Sequence, residues 1–154
     1  MKSRTKARSV ALQVLYEVDI AGHLPGDVLV QRLEEAPLNG GLEEFSREII
    51  FGVYPLIDSL DNIIAQHAPE WPLDQVAIID RNILRIALWE FAVAECTPVK
   101  VAINEAIELA KDYGSDSTPR FVNGVLGSLA AKQNEILQAI KNINRNRNSP
   151  SLDN

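Results

Sequence analysis

The chain has 154 residues, of which 46% are hydrophobic and 23% charged, with 21 acidic against 15 basic residues and a formal net charge of −6. That length suits one domain with its own core and no disulfide or metal staple, and the single cysteine, Cys96, excludes an intrachain disulfide. No apolar run approaches the ~20 residues of a membrane-spanning helix, and Gln13, Glu17 and Asp19 interrupt the early apolar stretch before it reaches signal-peptide quality, so a cytoplasmic protein is expected.

Charge is unevenly placed. Lys2, Arg4, Lys6 and Arg8 precede the first acid, Glu17, so an acidic body carries a basic leading end. Any contact with a polyanion should therefore be local and salt-dependent. The first helix is expected from about Ser3 to Asp19, with Ala7, Val10, Ala11, Val14, Leu15 and Val18 on one face. Arg4, Arg8, Leu12 and Tyr16 form a four-residue row on its flank and back, with Lys2, Lys6 and Gln13 farther round. Gly22, Pro25 and Gly26 break the chain, and Asp27 is placed to cap a short helix to about Glu35.

Leu42 to about Ala68 reads as a long helical region that Pro55 must kink or split, because an interior proline removes a hydrogen bond and clashes with the preceding turn. A central helix from Ile78 to Ala94 is apolar almost all round, which predicts enclosure; Arg85 and Glu90 on it read as structural charges that need buried partners. In the next helix Val99, Ala102, Ile103, Ala106, Ile107, Ala110 and Tyr113 recur at helical spacing. Gly114 is expected to end it in a left-handed conformation, and Thr118 with Pro119 to start the following one. Asn123, Gly124 and Gly127 inside that helix predict close packing against bare backbone, since each glycine costs roughly 1 kcal/mol relative to alanine. The whole reads as an all-α, compact bundle of about six to seven helices spanning 1–144, with 145–154 a disordered, asparagine-rich tail.

The stretch Pro98, Lys100 to Lys111, Tyr113, Gly114 and Phe121 to Leu126 resembles the signature of the NusB family of transcription antitermination factors. Arg4, Ala7, Arg8, Ala11, Gln13, Leu15 and Tyr16, and then Asp80, Arg81, Ile83 to Ala87 and Glu90, extend the resemblance in family order over about residues 3 to 130. It implies two three-helix halves and an RNA-binding adaptor that joins boxA RNA, as a single strand, to the ribosomal protein NusE within the RNA polymerase antitermination complex. It implies an RNA surface of Arg4, Lys6, Arg8, Gln13 and Tyr16 with Ser117, Arg120 and Phe121 at the later turn, and a partner surface at Asp80 and Arg81. Arginines suit phosphates and an aromatic ring suits an unpaired base; on the residues alone packing at the core edge accounts for Tyr16 better than stacking does, and for Phe121 equally well. A homodimer, a purely protein-binding module and the RNA-recognition part of an rRNA methyltransferase system are the rival readings.

No catalytic constellation, metal set or cofactor motif is expected. His23 and His67 are far apart, Cys96 has no companion, and no P-loop or Rossmann glycine spacing occurs. Gly124 and Gly127 have the bare spacing of a KH loop, but Val125 and Leu126 between them read as helix core.

Overall fold

The structure, a computed structural model, describes residues 3–148. They form eight α-helical segments: α1 (Ser3–Ala21), α2 (Pro25–Glu35), α3 (Gly40–Val53), α4 (Ile57–His67), α5 (Ile78–Leu88), α6 (Val99–Tyr113), α7 (Thr118–Ala131) and α8 (Gln133–Asn148). Among the described residues there is no strand, and no helix is long and apolar enough to cross a membrane. The fold is all-α, as expected.

Helix α1 is the hub. It packs against α2, α3, α5 and α6, and from Ala7 to Leu15 only Gln13 keeps partial exposure. An amphipathic pattern describes a helix with one neighbour, so it understates burial for a helix wrapped on several sides. Ser46 of α3 fastens the contact by donating its hydroxyl to the Ala7 carbonyl at 2.6 Å. Gly22, at φ +70°, supplies the left-handed residue that ends α1, its amide donating to the Val18 carbonyl at 3.0 Å. Pro25 takes the first turn of α2, so Asp27 lies inside that turn and is not its cap. Asn39 caps α3 by accepting from the Leu42 amide at 3.1 Å.

Pro55 splits the long helical region as expected, within a 3-10 turn at Tyr54–Leu56. The central helix behaves differently from its pattern. After Leu88 it widens into a π turn at Trp89–Val93, where the Ala94 amide reaches back to the Trp89 carbonyl at 2.9 Å. Trp89 then lies against Gly52 of α3, where any β-carbon would overlap the indole, while Glu90 lies against α1.

The α6–α7 signature packs on α5. Gly114 is not left-handed: its backbone is extended, at φ −91° and ψ −176°, and glycine is required because a β-carbon would overlap the Thr118 side chain. Gly124 does meet a close neighbour, although it is the Trp71 ring at 3.3 Å from a virtual β-carbon, not another helix backbone. Gly127 has open space around it, contrary to the packing expected there.

Of the two implied three-helix halves, α1–α3 is one; α5–α7 forms the other with α4 and α8 added to it. α8 is held because Ile136 and Ile140 are buried, each such side chain contributing about 1.5–3 kcal/mol. It continues helically to Asn148, past the expected boundary at 144, and residues 149–154 of the expected tail lie outside the described residues.

Candidate nucleic-acid interface

The basic start of α1 is divided by its neighbours. Arg4 and Lys6 are exposed, and the Arg4 guanidinium carbon sits 4.4 Å from the centroid of the Phe45 ring on α3. Lys2 lies outside the described residues. Arg8 is sealed inside, only 2% exposed. Its Nε and Nη2 donate to the Glu90 carboxylate at 2.7–3.1 Å, and Glu105 stands 3.5 Å from Nη1. The expected phosphate contact by Arg8 is therefore corrected: the guanidinium is consumed by a buried ion pair between α1 and the π turn. Thr97 donates to the same Glu90 carboxylate at 2.8 Å, and Thr5 donates to Glu105 at 2.8 Å. A second buried cation, Arg85, joins three helices by pairing with Asp61 and Asp19 at 2.7 Å each. Glu90 and Arg85 thus have the partners their burial demands.

Tyr16 returns to the surface at 38% exposure, because the row it shares with Arg8 and Leu12 emerges from beneath its neighbours there. With Gln13, Arg32, Ile79 and Tyr113 it lines an open, mostly apolar cleft of about 300 Å³. Gln13 is engaged within the protein. Its Nε2 donates to the Tyr113 hydroxyl at 2.9 Å and its Oε1 accepts from Arg32 at 3.2 Å, so it orients an aromatic and a cation at the cleft wall. Arg32 and Tyr113 were not singled out for this site from the sequence. Neither belongs to a cationic run, and only the packing of α2 and α6 beside α1 brings them to Tyr16.

The α6–α7 turn adjoins this cleft. Ile79 on the wall precedes Asp80, whose carboxylate accepts from the Thr118 hydroxyl at 3.3 Å. Thr118 in turn accepts from the Ser115 amide at 2.9 Å, so the turn is tied down from both sides. Ser117 and Arg120 are exposed, the Ser117 hydroxyl lying 3.2 Å from that of Ser115. Phe121 is half-buried and packs on the core. Burial raises the Asp80 carboxyl above its ordinary range, opposed by the Thr118 hydrogen bond. Arg81 is half-buried and donates its Nε to the Val76 carbonyl at 2.9 Å.

A model of the NusB family matches residues 5–131. The chain belongs to the NusB family. The transcription antitermination protein NusB of Roseiflexus sp. (strain RS-1) is 47% identical over 134 residues, covering 86% of this chain and 94% of that protein. NusB of Bacillus subtilis (strain 168) is 42% identical over 129 residues, covering 84% and 95%. Among solved structures, T. maritima NusB is similar at a TM-score of 0.77 and 28% identity, with 89% of this chain and 98% of that one covered. A complex of the antitermination factors NusB and NusE with double-stranded RNA is similar at 0.75 and 27%, covering 90% and 98%. Family membership thus rests on both sequence and fold.

Proposed function

We propose that this chain is a transcription antitermination factor that binds the boxA element of nascent ribosomal RNA, as a single strand, together with the ribosomal protein NusE, inside the cytoplasmic RNA polymerase antitermination complex. The observation that carries the reading is the exposed Tyr16 ring in a cleft edged by Arg32 and Tyr113 and adjoining the α6–α7 turn, with Arg120 exposed in the first turn of α7. Such a cleft offers a stacking face to one unpaired base and cations to the flanking phosphates. Arg4 and Lys6 lie about 18 and 15 Å away along the α1 axis at 1.5 Å per residue, beyond a buried stretch of that helix, so they offer the RNA a second set of cations apart from the cleft.

Asp80 and Arg81 are the proposed NusE-facing pair, and the mechanism is assembly. A weak RNA contact and a weak protein contact on one scaffold each raise the effective concentration of the other. The similar solved complex of NusB and NusE with double-stranded RNA supports the pairing of NusE with RNA in this reading. Binding of labelled boxA RNA, with and without NusE, is the test. Tyr16→Ala should lose about 1–3 kcal/mol of RNA affinity, Arg120→Ala should weaken binding at low salt, and NusE should tighten both. Affinity untouched by either substitution would remove this surface from the RNA-binding role.

A further inference from the structure

We propose that Phe45 is a positioning residue for RNA binding: its ring seats the Arg4 guanidinium, while Arg8, neutralised by Glu90, braces the same ring. The inference rests on the RNA-binding reading above and names a residue that carries no charge and touches no RNA in that reading.

Phe45 belongs to α3 and is 5% exposed, yet two arginines of α1 share it. The Arg4 guanidinium carbon stands 4.4 Å from the ring centroid and that of Arg8 stands 5.1 Å away. A ring attracts cations through its quadrupole, but two bare guanidinium groups on one ring would also repel each other. Glu90 resolves the conflict by taking Nε and Nη2 of Arg8 in a buried, charge-assisted pair at 2.7–3.1 Å. The ring is thereby left to Arg4. Next to it, Thr5 is pinned to Glu105 of α6 at 2.8 Å. The first turn of α1 is accordingly fastened to α3 on one flank and to α6 on the other, where a basic helix start standing alone would fray. A long cation held in place before binding loses less rotamer freedom when it meets a phosphate.

The experiment is a double-mutant cycle in boxA RNA affinity on the full chain: Arg4→Ala, Phe45→Leu, both together, and Phe45→Tyr, with thermal melts of each. Phe45→Leu keeps apolar volume and removes the ring; it should weaken binding about two- to five-fold, the worth of one cation–ring contact. On the Arg4→Ala background the same change should add nothing, and Phe45→Tyr should bind as the parent does. Additive losses, an unchanged affinity in Phe45→Leu, or a silent Arg4→Ala in a parent that binds RNA would each overturn the positioning role. A parent that fails to bind boxA RNA overturns instead the functional reading on which it rests.

Discussion

Arg8 and Tyr16 lie about 12 Å apart along one face of one helix, and their fates are opposite because different neighbours cover them. Arg8 meets Glu90 in the interior, and Tyr16 opens into the cleft. Arg8→Ala would leave the Glu90 carboxylate buried without its cation, at a cost of about 3–5 kcal/mol in chemical denaturation. Replacing both residues by Met should cost much less, since a buried ion pair exchanged for apolar groups is often near neutral. If Arg8→Ala kept full stability and lost only RNA affinity, the ion pair would not be the role of this arginine.

Asp80 illustrates the converse, a charge that the fold accommodates at a loss. Its folded pKa is raised by burial above the usual 3.8, so the native state holds the proton more tightly than the unfolded chain. Its contribution to stability therefore falls as pH rises from about 3.8 through the raised value, and the penalty is complete at neutral pH. Asp80→Asn keeps an acceptor for the Thr118 hydroxyl and removes the charge. Its melting temperature at pH 7 should equal or exceed the parent's, with the gap closing toward pH 4; a variant less stable at pH 7 would reverse the assigned sign.

Among the elements, α3 and α7 show glycines doing three different things. At Gly52 the indole of Trp89 occupies the place of a side chain, and Gly52→Ala should destabilise by about 1–3 kcal/mol through overpacking. Gly124 meets Trp71 at ordinary to tight range. Gly127 faces open space within a helix, so Gly127→Ala should raise stability by about 0.4–1 kcal/mol, mainly by restricting the unfolded chain. Thermal melts of the two alanine variants should move in opposite directions, and a common direction would contradict the packing described. The π turn matters for the same reason as Gly52. Its one wide turn sets Trp89 against α3 and Glu90 against α1, joining the two halves of the molecule through residues that a regular helix would direct elsewhere.

Over the whole molecule, a net charge of −6 surrounds a small cationic edge. A groove of about 830 Å³ between the start of α1 and α6 is lined by Glu105, Glu108 and Asp112 beside Lys111, and this composition repels RNA. Contacts from Arg4, Lys6, Arg32 and Arg120 would release counterions from about four phosphates, giving a slope of log affinity against log salt of roughly −3 for a single strand. A titration of boxA RNA binding across salt concentrations measures it, and a slope beyond about −5 would demand a far wider basic surface than this one.

Helix existence, the break at Pro55 and the family itself were legible because periodicity, proline chemistry and the signature residues are local properties of the chain. So was the need of Arg85 and Glu90 for partners, since a charge amid apolar residues demands one wherever it folds. The identity of those partners was not legible. Arg8 reads locally as a surface cation on the helix flank, and only the convergence of α3, α6 and the π turn on α1 buries it. Arg32 and Tyr113 join Tyr16 for the same reason, and Gly114 is fixed by Thr118 and not by its own backbone preference. Local pattern determines which segments become helices. Burial is a sum over neighbours distant in the chain, so tertiary packing alone decided which cations remain available to RNA.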